Sequence, residues 1–167
     1  MKSNKTSLAL LFGLLLFGSQ AAQAAPPGGY IGFGLGSADI KEIDETDTAY
    51  KLVAGWTANQ NLGVEVAFID LGTYQSGLAD AYGVVFDVVG YLPLGNNFNI
   101  LGKLGMFAWT VDVDMINASD DGTDLTYGLG VQYDFTNRLF LRGEWEEYFD
   151  VSGSDISLLS AGISYTF

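Results

Sequence analysis

The chain has no cysteine and no histidine among its 167 residues. Without cysteine there is no disulfide framework and no thiolate metal site. Without histidine the commonest general base and the commonest transition-metal ligand are both missing. Basic residues are scarce: 7 Lys+Arg stand against 20 Asp+Glu, a formal net charge of −13. Such a chain does not grip nucleic-acid phosphates. Charge of either sign is also thin, at 16% of residues, where about a quarter is usual. Beyond the N-terminus no apolar run approaches the roughly twenty residues that a membrane helix needs. That excludes a helical membrane protein and leaves strands as the alternative. What is present is 22 Gly, 14% aromatics and 49% hydrophobic residues. The apolar content argues against disorder, and the length is that of one domain.

The first residues form an address. Lys2 and Lys5 precede an apolar and small run from Leu8 to Gly18, followed by Ala22-Gln23-Ala24. A basic start, a short apolar stretch and an Ala-x-Ala site predict a secretory signal peptide over residues 1–24 and a mature barrel domain over 25–167. Cleavage removes two lysines and no acid, so −13 becomes −15.

From Tyr30 onward apolar residues alternate with period two. Eight segments follow: Tyr30–Ser37, Ala49–Thr57, Leu62–Leu71, Ala79–Leu92, Phe98–Val113, Leu125–Phe135, Leu139–Phe149 and Ile156–Phe167. The second, fourth and sixth links are tight, with turn chemistry in Asn59-Gln60-Asn61, Gly95-Asn96-Asn97 and Thr136-Asn137-Arg138. The odd-numbered links are mostly longer and more acidic, as in Asp39–Thr48 and Asp114–Asp124. Alternating long and short links around an even number of strands predict an all-β, eight-stranded antiparallel transmembrane barrel, an up-and-down meander.

Parity sharpens this. One face carries Ile31, Phe33, Leu35, Leu52, Trp56, Val64, Val66 and Phe68, and continues in kind through the remaining strands without a charge. The mid-strand charges Lys51, Glu65, Asp87, Lys103, Arg142 and Glu144 all fall on the other face. A soluble barrel reverses this pattern. Buried charges opposite an apolar outer face make sense where that face meets lipid. Aromatics at both ends of the outward face (Trp56, Phe98, Tyr133, Tyr165 and Phe167; Tyr50, Tyr82, Tyr127 and Trp145) suit two membrane–water interfaces.

The ending Ile163-Ser164-Tyr165-Thr166-Phe167 resembles the terminal strand of bacterial outer-membrane barrels. Leu62-Gly63-Val64-Glu65, Val89-Gly90-Tyr91-Leu92-Pro93, Lys103-Leu104-Gly105-Met106-Phe107-Ala108-Trp109, Gly130-Val131-Gln132-Tyr133 and Leu141-Arg142-Gly143-Glu144-Trp145 resemble the transmembrane domain of the outer membrane protein A family. The resemblance covers the barrel and not the peptidoglycan-binding domain of the longer members. It implies an assembly signal at Tyr165 and Phe167, read by the barrel-assembly machinery. It also implies a hydrogen-bonded charge network in the lumen, made here by Glu65, Lys103 and Arg142, with Glu144 nearby and Asp87 pointing inward. Val88 and Gln132 depart from the family's pattern, standing where a basic and an acidic residue would be.

Two readings of the lumen remain: a plug of mutually neutralising charges, or a narrow gated pore for ions or small solutes. Catalysis is not expected. The small-barrel lipid A enzymes that the resemblance brings to mind depend on histidine, and Glu144, Glu146 and Glu147 spread over both faces of one strand. Gly32-x-Gly34-x-Gly36 lies inside a strand with no helix after it, so it is no phosphate cradle. The Asp112–Asp124 run fails the EF-hand pattern, with Ile116 at a ligand position and no closing Glu. No cofactor and no dedicated metal site is expected. The expected partners are outer-membrane lipid and lipopolysaccharide, with divalent cations as the expected bridge to the acidic loops. The chain is expected to be a monomer in the outer membrane of a Gram-negative bacterium, contributing to membrane integrity or surface interaction.

Overall fold

The structure, a computed structural model, describes residues 28–41, 45–74, 79–113 and 118–167. The signal peptide read over residues 1–24 lies outside them, as do Glu42, Asp44, Asp114 and Ile116. Eight strands follow one another: β1 (Gly28–Ile40), β2 (Glu45–Asn59), β3 (Leu62–Tyr74), β4 (Ala79–Gly95), β5 (Phe98–Val113), β6 (Ala118–Asp134), β7 (Leu139–Val151) and β8 (Ser154–Thr166). Each pairs antiparallel with the next, and β8 returns to β1 through registers such as Phe33↔Ile163 and Gly34↔Gly162. The result is a closed barrel. Closure removes every sheet edge along the shared height of the strands, which is what lipid demands of a backbone.

Turn chemistry sets the tight end. Gly95 pairs with Phe98 around Asn96 (φ 52°) and Asn97 (φ 66°). Two successive left-handed residues make the hairpin turn whose twist matches the flanking strands. At the third tight link the Thr136 hydroxyl accepts hydrogen bonds from the N–H groups of Arg138 (3.2 Å) and Leu139 (3.0 Å). The outward face is a wall of exposed apolar side chains, from Ile31, Phe33 and Leu35 round to Leu159 and Ile163.

The strands run further toward the loop end than hydrophobic alternation indicates. β2 begins at Glu45 rather than Ala49, and β6 at Ala118 rather than Leu125. Most of the expected Asp114–Asp124 link is therefore strand, paired with β5. The expected Asp150–Asp155 link reduces to a turn at Ser152 (φ 50°) and Gly153 (φ 83°). The cause is that hydrophobic alternation reports contact with lipid, whereas backbone pairing continues into water wherever both neighbours allow it.

Candidate functional site

The inward side chains form a charged layer and an apolar layer above it, with a smaller apolar cluster of Val89, Tyr91 and Leu101 beside the charges toward the turn end. Toward the turn end lies a charged knot. Lys51 of β2, Glu65 of β3, Lys103 of β5, and Arg142, Glu144 and Glu146 of β7 are all buried. Lys51 Nζ lies 2.8 Å from Glu144 and 2.7 Å from Glu146. Lys103 Nζ contacts Glu144 at 2.5 Å, Glu65 at 2.6 Å and Glu146 at 3.4 Å. Arg142 is ion-paired with Glu65 and lies 3.6 Å from Glu144. Its other terminal nitrogen donates to Gln132 (3.0 Å) and to the Tyr91 hydroxyl (3.2 Å). The Tyr30 hydroxyl donates to Glu65. The Arg142 guanidinium sits 5.0 Å from the Phe140 ring centroid and 5.4 Å from that of Tyr30, distances at which a cation is attracted to a ring face. Each charge thus meets several partners, the condition under which burial is tolerable.

Glycines make room for the knot. A Cβ at Gly55 would strike the Tyr30 ring, and one at Gly128 would come within 2.8 Å of Glu146 Cγ.

Among the expected lumen residues, Glu65, Lys103, Arg142 and Glu144 come into direct ion-pair contact. Asp87 does not. It is 2% exposed, faces Glu65 across β3–β4 and Gly105 across β4–β5, and among the described residues its Oδ1 has no hydrogen-bond partner. With Lys51 and Glu146 included, the lumen holds three cations and four carboxylates, and Asp87 is the odd one. Glu146, set aside above with its neighbours, was signalled by parity with Glu144. Tyr30, Tyr91 and Gln132 had only their inward parity to mark them.

Above the knot the lumen is apolar, contrary to a polar interior throughout. Ile69, Leu71, Val85, Phe107, Tyr148, Ile156 and Leu158 are packed together and sealed from solvent. Phe107 and Tyr148 rings meet at 4.8 Å, and Trp109 Nε1 donates to Asp124 Oδ2 at 2.8 Å on top of them. The reason is local. At this height the inward positions of neighbouring strands are mostly aliphatic or aromatic, so the bore fills by ordinary hydrophobic packing, while outward Phe68, Val84, Phe86 and Met106 at the same level belong to the lipid-facing wall.

Outside the plug the loop end is strongly acidic. Its described carboxylates are Asp39, Asp47, Asp70, Asp80, Asp112, Asp120, Asp121, Asp124, Glu147, Asp150 and Asp155, and its one described cation is Lys41. Lys41 is hydrogen-bonded and ion-paired with Glu147, and this bond raises the Lys41 ammonium above the ordinary lysine value. Ser157 Oγ donates to the other Glu147 oxygen at 2.7 Å. At the turn end, Tyr165 and Phe167 lie on the outer face, Arg138 donates to the Tyr165 hydroxyl (3.1 Å), and Phe167 N–H bonds to Gly29.

A family model described as the outer membrane protein beta-barrel domain matches residues 8–167. The chain belongs to this family. Among solved structures it is similar to Neisserial surface protein A, with 16% identity, 84% of this chain and 97% of that one covered, and a TM-score of 0.68. It is also similar to the N-terminal β-barrel domain of Pseudomonas aeruginosa OprF (11% identity, 85% and 100% covered, TM-score 0.64). A third is Ail, the attachment invasion locus protein of Yersinia pestis (19% identity, 85% and 100% covered, TM-score 0.59). At these identities the likeness is one of fold. No curated protein matches the chain. Among the described residues no helix is long and apolar enough to cross a membrane, so in this outer-membrane barrel the strands cross it.

Proposed function

We propose that the protein is a closed, non-enzymatic barrel of the Gram-negative outer membrane that contributes to membrane integrity or surface interaction through its loop end. The observation that carries this reading is the sealed lumen: a charged knot whose six members pair with one another, capped by an apolar plug. A conduit needs a continuous wet path, and buried paired charges beneath packed hydrocarbon argue against one. In this reading the signal peptide delivers the chain to the periplasm, both ends and the tight turns stay there, and Tyr165 and Phe167 serve as the assembly signal. The acidic loop end faces outward beside anionic lipopolysaccharide, with divalent cations bridging the two. Ail is described in complex with a heparin analogue, sucrose octasulfate. An acidic loop end with Lys41 as its one described cation fits the opposite charge, so a polyanion of that kind is not the partner proposed here.

Conductance in planar bilayers tests the reading. Silence is the expected result. Steady openings that change in Lys103→Ala or Glu144→Ala would overturn it in favour of a narrow gated pore.

A further inference from the structure

β6 has a neighbour on both sides only along its turn-end half. Among the described residues, Thr126–Asp134 pair with Phe140–Tyr148 of β7, whereas the loop-end residues 118–125 pair with β5 alone. β7 meanwhile leaves at a bulge after Tyr148 and closes on β8 through Val151↔Ser154. Among the described residues the loop-end half of β6 is therefore an open sheet edge, standing above the closed part of the barrel.

Alternation fixes what that edge presents. The Asp134 N–H donates to Asn97 on the β5 side, and the β5–β6 ladder runs without a register shift. Even-numbered residues of β6 thus direct their N–H and C=O groups to β5, and Ser119, Asp121 and Thr123 direct theirs to the open side. All three are exposed. From the β7–β8 turn, the Ser152 hydroxyl reaches the Asp120 side chain (2.8 Å) but no β7 residue pairs with this stretch.

Exposed edges are templates for another strand, and charge decides which. This one carries Asp120, Asp121 and Asp124. A second copy of the chain would bring its own aspartates against them, and like charges across a strand pair are destabilising. A segment bearing lysine or arginine meets the reverse. We propose that the β6 edge at Ser119–Thr123 takes up an extended, basic segment of a partner protein as an added strand. Main-chain hydrogen bonds supply affinity and the aspartates select the charge. This deepens the surface-interaction reading above and rests on it.

The probe is a labelled decapeptide of alternating lysine and valine, titrated against the full barrel in lipid nanodiscs by fluorescence anisotropy. Three comparisons decide the outcome. A peptide of the same sequence N-methylated at alternate residues keeps the charge and loses the ladder; it is expected to bind about tenfold more weakly or worse. Thr123→Pro removes an N–H that serves no ladder inside the barrel, and the same loss is expected with heat-modifiable gel migration intact. Asp121→Asn is expected to weaken binding a few-fold and to flatten its salt dependence. Equal binding of both peptides would reduce the interaction to electrostatic adsorption and overturn the proposal. So would binding unchanged by Thr123→Pro, or no binding at all. Bilayer conductance, by contrast, tests only the closed-barrel reading, so the two failures are distinguishable.

Discussion

The two layers of the lumen fill the same bore by opposite means. The knot buries charge and depends on every member finding partners; the plug buries hydrocarbon and depends on volume alone. Lys103 and Phe107 stand four residues apart on β5, one in each layer. A single strand thus passes from one regime to the other within two inward positions. The difference teaches where stability is concentrated. Removing one member of a paired charge set leaves its partners charged, buried and alone, which costs more than the cavity left by a truncated aliphatic side chain.

Arg142→Ala is the severest test of that contrast. It strips Glu65 of one of its two cations and leaves Gln132 and Tyr91 without their donor. A loss of about 3–5 kcal/mol is expected, measured by urea unfolding in micelles with gel migration as the readout. In the plug, Leu158→Ala should cost about 2–4 kcal/mol by transfer and cavity terms. Equal losses at the two sites, or a larger one at Leu158, would erase the distinction between the layers.

Asp87→Asn breaks the comparison from inside the knot's own layer. Glu65 and Asp87 face one another across β3–β4, both buried, yet Glu65 contacts Lys103 and Arg142 while Asp87 has no ion pair among the described residues. Neutralising Asp87 removes an unbalanced charge and retains the shape of the side chain. Stability is expected to rise or to change by less than about 1 kcal/mol. A loss as large as that of Arg142→Ala would mean that Asp87 has a partner the static arrangement does not reveal.

The barrel and its lipid face were legible because period two and parity are properties of the chain itself. Charge parity pointed to the knot for the same reason, and Glu146 follows by that rule from Glu144. The plug was not legible. Ile69, Leu71, Phe107 and Leu158 share the inward parity of the charges, and only their height along the strands separates them. Which inward residues share one height depends on the register between strands distant in the chain, which no local pattern states. The length of β6 escaped for a related reason: Ser119–Asp124 is polar on both faces, so it alternates in nothing a hydrophobicity pattern detects, although its backbone pairs with β5 throughout.

The rim supplies the mildest and most conditional contrast. Lys41 and Glu147 form an ion pair as the knot residues do, but the Lys41 side chain is half exposed, and water and salt reach it. Lys41→Ala should therefore cost about 1 kcal/mol or less, and that difference should shrink as added salt shortens the screening length from about 10 Å to about 3 Å. The pH dependence has a definite sign. The Lys41 pKa is raised above the ordinary value of 10.5 by its bond to Glu147. The pair's contribution is then complete below 10.5 and disappears only as pH climbs through the higher folded value. The gap in unfolding midpoint between wild type and Lys41→Ala should stay level across neutral pH and close only in strong alkali. A gap insensitive to salt would place this pair with the lumen charges, and the difference between rim and knot would then owe nothing to solvent.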